Sequence, residues 1–290
     1  MRIRFILVTI LIAGFFSFSS AQSIDRFGGN KDACGRNYTI YYEMYKLKNY
    51  AGAIPFWQKT IDICPRFSIS LWKNGEKMYQ HKIKNSPDSP EKEMLIDSLM
   101  WIYDQRMLYF GDDQRAGTGY VLGRKGLALL NFRKSDAEKA YDLLSESIKI
   151  EGNNSKSDVV LTYMQASRFL YKDGILSAEN VLSDFETCTE IIKENLSKDP
   201  GNNNFLRASE GIEKHFINSG AANCEALVSV FSKQFESNRS DAEWMAKISR
   251  QLKTAGCSDN AFFQELALAQ FELNPSGDDA HKLAQTHLKK

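Results

Sequence analysis

The stretch KNYAGAIPFWQKTIDICP, residues 48–65, constrains the fold of this chain more than any other feature. It places an aromatic at Tyr50, a small residue at Ala53, a large aromatic at Trp57, a small residue at Thr60 and a proline at Pro65. Residues three, four and seven apart share one face of a helix. Ala53 and Thr60 therefore let a neighbouring helix approach closely, Trp57 fills the gap between them, and Pro65 ends the helix. The spacing returns at residues 137–152, AEKAYDLLSESIKIEG, with Ala140, Leu144 and Ser147 at the same offsets and Gly152 as the stop. Near the end, Pro275 closes a helical run that begins at Ala261.

First helices that match these second helices are expected at Asn37 to Leu47, Tyr120 to Arg133, Val159 to Lys172 and Ser240 to Thr254, each apolar at three- and four-residue spacing. Looser pairs fill the intervals. They are Ile69 to Lys82 with Pro90 to Phe110, Val159 to Lys172 with Ala178 to Leu196, and Phe205 to Asn218 with Asn223 to Asn238. No segment alternates as a half-buried strand does. The expectation is an all-α chain, an α-solenoid of about six stacked antiparallel helix pairs. Asp279 to Leu288 reads as a further half repeat, which serves as a polar cap or belongs to a chain continuing beyond Lys290.

Arg2 and Arg4 precede an apolar run from Phe5 to Phe18, too short for a comfortable membrane span, and Ser19-Ser20-Ala21 supplies small residues for cleavage. Residues 1–21 are thus expected to be a signal peptide and residues 22–290 the solenoid. No cysteine follows the cleavage site to carry a lipid, so the mature chain is expected in the periplasm or secreted, without a membrane span. A net charge of +1 gives no bulk reason to expect nucleic acid. The five cysteines include no Cys-x-x-Cys. Cys34, taken to precede the first helix, and Cys64, at the end of the second, are brought together by antiparallel pairing. Cys224 and Cys257 lie at comparable turns of consecutive pairs, so both disulfides are open possibilities. Cys188, among Phe185, Ile191 and Ile192, reads as a buried thiol.

The repeat spacing resembles the tetratricopeptide repeat (TPR). With LMWIYDQRMLYFG (Leu99 to Gly111) and GYVLGRKGL (Gly119 to Leu127), the chain is similar to exported TPR proteins of Bacteroidota. The resemblance implies a right-handed superhelix and protein–protein recognition in a groove lined by first helices, with no catalytic centre. Carried over, it places Tyr38, Tyr42, Tyr45 and Lys46 in that groove, then Lys73, Lys77 and His81. Lys125 and Arg133 follow, then Arg168, Tyr171 and Lys172. Tyrosines with interleaved cations suit a peptide that carries carboxylates. The alternative for the same residues is packing between helices and plain solvation. Asn74 and Lys125 are only a fragment of the pattern that clamps a C-terminal carboxylate.

Sharper chemistry finds little support. Gly117-Thr118-Gly119 with Gly123 has no preceding strand and the wrong spacing for a nucleotide site, and reads as a loop opening a helix. Asp112-Asp113 lacks the ordered ligands of a calcium loop. His81, His215, His281 and His287 show no metal-ligand spacing, and no Gly-x-Ser-x-Gly is present. The expected function is a non-catalytic scaffold or adaptor for a protein or peptide in the cell envelope, with no cofactor and no metal. A small-molecule or glycan-binding protein, and the positioning arm of a longer enzyme, are the alternatives.

Overall fold

The computed structural model describes residues 25–273 and 275; the signal peptide expected at 1–21 and the half repeat at Asp279 to Leu288 lie outside them. Among the described residues there are twelve α-helices and no strand. The chain divides into two compact units between Ser68 and Ile69.

The first unit holds α1 (Lys31–Lys46) and α2 (Tyr50–Ile63), packed together. Helix α1 begins six residues before the Asn37 expected from the apolar spacing, because the Asn30 side chain accepts the Ala33 N–H and caps an earlier turn. Cys34 therefore sits inside the helix and not before it. On α2 the recurrent spacing meets its purpose. Ala53 and Thr60 are fully buried, Trp57 is 1% exposed, and the Thr60 hydroxyl donates to the Phe56 carbonyl. The structure joins Cys34 to Cys64, the C-cap of α2, with alpha carbons 6.0 Å apart. Close by, Gly28 has φ +64°, and a Cβ there would lie 1.7 Å from the Ile63 carbonyl oxygen, so only glycine fits.

The second unit carries α3 (Ile69–Lys84), α4 (Pro90–Phe110), α5 (Thr118–Phe132), α6 (Ala137–Glu151), α7 (Ser157–Lys172) and α8 (Ala178–Lys198). It continues with α9 (Asn203–Ile217), α10 (Cys224–Asn238), α11 (Ala242–Thr254) and α12 (Ala261–Leu273). Each of α3 to α8 packs on the next helix in sequence, and α8 packs on α9. Helix α7 also packs on α5 and α9, so first helices stack on first helices. This is the packing of a helical solenoid. Small residues allow it: a Cβ on Gly123 would reach 2.6 Å from the Ser147 hydroxyl, and one on Gly126 would lie 2.8 Å from Leu144 Cγ. That close approach lets the buried Ser147 hydroxyl donate to the Gly119 carbonyl at 2.7 Å. Ala140, Leu144 and Ser147, the recurring positions of residues 137–152, are all buried.

Helices α10 and α11 run head to tail across a short turn, which returns the end of α11 to the start of α10. Cys224 and Cys257 meet there as a second disulfide, with alpha carbons 5.3 Å apart. Cys188 is free and buried, and burial pushes its thiol well above the ordinary range.

Candidate functional site

In the first unit, Tyr38, Tyr42 and Tyr45 recur at helical spacing along α1 and stand as a ladder of partly buried rings. Tyr38 and Tyr42 are 5.6 Å apart with planes 13° from parallel, and Tyr42 and Tyr45 are 6.3 Å apart at 14°. The Lys46 ammonium stands 5.3 Å from the Tyr42 ring centre and is paired with Glu43 at 2.8 Å. Phe67 closes on Tyr38 at 4.5 Å, and burial with the neighbouring Tyr42 raises the Tyr38 phenol above its ordinary range. The four residues expected on this helix thus share one place, with the rings partly committed to each other.

The cations of the second unit separate into two groups. Most that are partly buried hold neighbouring helices together. Arg124 pairs with Asp158, Lys125 with Asp104 at 2.5 Å, and Arg133 with Glu93 and Asp97. Lys92 pairs with Asp88, and the buried Arg106 with Glu76 at 2.7 Å. Lys125 and Arg133, read from the sequence as groove residues, are therefore engaged on carboxylates of α4. Lys73 and Lys77 lie exposed on α3.

Arg168 differs. Among the described residues of the second unit, it is the one lysine or arginine that is partly buried and has no carboxylate within ion-pair distance. Its guanidinium stands 5.1 Å from the Phe169 ring, and its Nε is buried without a hydrogen-bond partner. Tyr171 and the exposed Lys172, three and four residues on, share its face at the last turn of α7. Alongside, on α9, His215 has Nδ1 buried and likewise unpartnered. Burial depresses the His215 pKa, and the charges of Arg168 and Lys214 add to that effect. Burial and these neighbouring charges thus disfavour protonation of the imidazole. A carboxylate brought there would pair with Arg168 and favour protonation of His215. His215 had no sequence signal: a single histidine on an amphipathic helix carries no ligand spacing.

A second polar cluster is internal. Asp184 on α8, 6% exposed, accepts hydrogen bonds from Tyr163 at 2.5 Å, Ser167 at 2.6 Å and Tyr141 at 3.0 Å. Three hydroxyls from α6 and α7 thereby solvate one carboxylate that has no cation partner among the described residues, and the two phenols stack at 5.1 Å. Its donors are all satisfied, so the cluster ties three helices together. Among the described residues no group of three or more His, Cys, Asp or Glu is placed to hold a metal ion.

No protein-family model matches the sequence, and no curated protein matches it.

Proposed function

We propose that the chain is an exported helical-repeat scaffold of the TPR kind that binds an acidic segment of a protein partner, with Arg168, Lys172 and His215 as the receiving site. The observation that carries this reading is that Arg168, partly buried, has no carboxylate partner among the described residues, whereas the other partly buried cations described in that unit do. Keeping a guanidinium half-desolvated and uncompensated is unfavourable, and an incoming carboxylate relieves it. The two disulfides support export, since such bonds persist in oxidising compartments.

The test is fluorescence anisotropy with labelled acetyl-hexaglutamate at low ionic strength. The reading expects saturable binding that weakens at least about tenfold in Arg168→Glu, as loss of a charge-assisted pair implies. Equal binding by wild type and variant would refute it. The tyrosine ladder of α1 favours a second reading, a ligand with flat apolar faces such as a glycan, which is tested by titrating oligosaccharides against Tyr42→Ala.

A further inference from the structure

Four helices of the second unit, α8 to α11, line a half-open cleft of about 200 Å³. Three aromatic rings edge it: Phe185 from α8, Phe231 from α10 and Trp244 from α11. Phe185 and Phe231 are buried, and Phe231 meets Trp244 edge to face at 6.4 Å. Ile192, Ile212 and Ile248, all buried, also line it. An apolar cavity of roughly 150 Å³ is enough to admit benzene. This one has room for a ring with a substituent.

Its partly exposed side is polar. The Ser209 hydroxyl and the Gln234 side-chain amide line it, and neither has a hydrogen-bond partner among the described residues. Glu213 is held in place by Lys247 and by the Gln251 amide at 2.5 Å. That clasp leaves the Gln251 carbonyl oxygen buried and unpartnered. The lining thus combines three aromatic rings with a hydroxyl and an amide that have no partner among the described residues, the mix from which pockets for small ligands are built.

We propose that this cavity binds a single aromatic ring bearing a hydroxyl, with the ring between Phe185, Phe231 and Trp244 and the hydroxyl at Ser209 and Gln234. A free phenol and the tyrosine side chain of a bound peptide present the same chemistry. Neither Arg168 nor His215 lines the cavity, so the site stands whether or not those two receive a carboxylate.

The experiment is methyl NMR of the full chain labelled at isoleucine δ1, titrated with p-cresol and, separately, with N-acetyl-L-tyrosinamide. The expected result is a saturable shift of the Ile192, Ile212 and Ile248 methyls with at least one probe, while those of Ile96 and Ile102 on α4 stay still. Binding of p-cresol alone assigns the site to free small molecules, and binding of the tyrosine amide assigns it to a peptide side chain. Ser209→Phe, whose ring enters the cavity, is expected to weaken binding at least tenfold. Should that variant lose its native Ile96 and Ile102 signals, Gln234→Leu replaces it, with an expected loss of threefold or more. No saturable shift with either probe, or unchanged affinity in the folded variant, overturns the proposal.

Discussion

Tyr163 on α7 donates its hydroxyl to the buried carboxylate of Asp184 on α8 at 2.5 Å, and among the described residues no cation pairs with that carboxylate. Hydroxyls alone balance the charge, so the cluster is only as strong as its full set of donors. Asp184→Ala leaves the Tyr163, Tyr141 and Ser167 hydroxyls without their acceptor and is expected to destabilise the second unit by about 2–4 kcal/mol. Tyr163→Phe removes one donor of three and is expected to lower stability by about 1–2 kcal/mol. Midpoints of urea unfolding at constant slope measure both, and a midpoint unmoved by Asp184→Ala contradicts the assignment.

The Glu76–Arg106 pair makes the opposite use of burial. Arg106, 1% exposed, also donates to the Ala116 carbonyl at 3.3 Å and so anchors the loop between α4 and α5. Burial raises the Glu76 pKa even with Arg106 beside it. Arg106→Met alone strands a buried carboxylate and is expected to lose about 3–5 kcal/mol. Adding Glu76→Leu is expected to recover most of that loss, a coupling that a double-mutant cycle by chemical denaturation measures directly.

Reduction of the Cys34–Cys64 bond is expected to weaken the first unit. The Cys34–Cys64 bond spans 30 positions, and closing a loop of that length stabilises by about 3–4 kcal/mol through the unfolded chain. In a variant with Cys224 and Cys257 replaced by serine, dithiothreitol is expected to lower the melting temperature by several degrees. No change on reduction contradicts a bond between Cys34 and Cys64.

His215 gives the free chain an acid limit. Its folded pKa lies below the ordinary value near 6.5, so the unfolded imidazole takes up a proton more readily than the folded one. The stability this group contributes is complete above about 6.5 and is lost as pH falls through the folded pKa. His215→Gln is expected to flatten that part of the stability–pH curve in urea unfolding at stepped pH.

Helix positions were legible because they rest on local spacing. Ala53, Trp57 and Thr60 announced a packed second helix, and all three are buried. The start of α1 was not, since an asparagine cap at Asn30 outweighs apolar periodicity and Gly35 interrupts the pattern. Lys125 and Arg168 looked alike in sequence. Only the fold shows that Asp104, 21 residues away, takes the first and that no carboxylate among the described residues takes the second. Asp184 and the α8–α11 cavity depend on three and four helices converging, which no local pattern encodes.

The most direct measurement of the carboxylate site is the His215 pKa by NMR of the imidazole, with and without saturating acetyl-hexaglutamate. In the free chain, burial first and then the charges of Arg168 and Lys214 hold that pKa below its ordinary value. A carboxylate paired with Arg168 should cancel part of that repulsion and raise the pKa by about one unit, equivalent to about 1.4 kcal/mol of coupling. An imidazole that titrates identically with and without the bound peptide would place the peptide elsewhere and contradict the site.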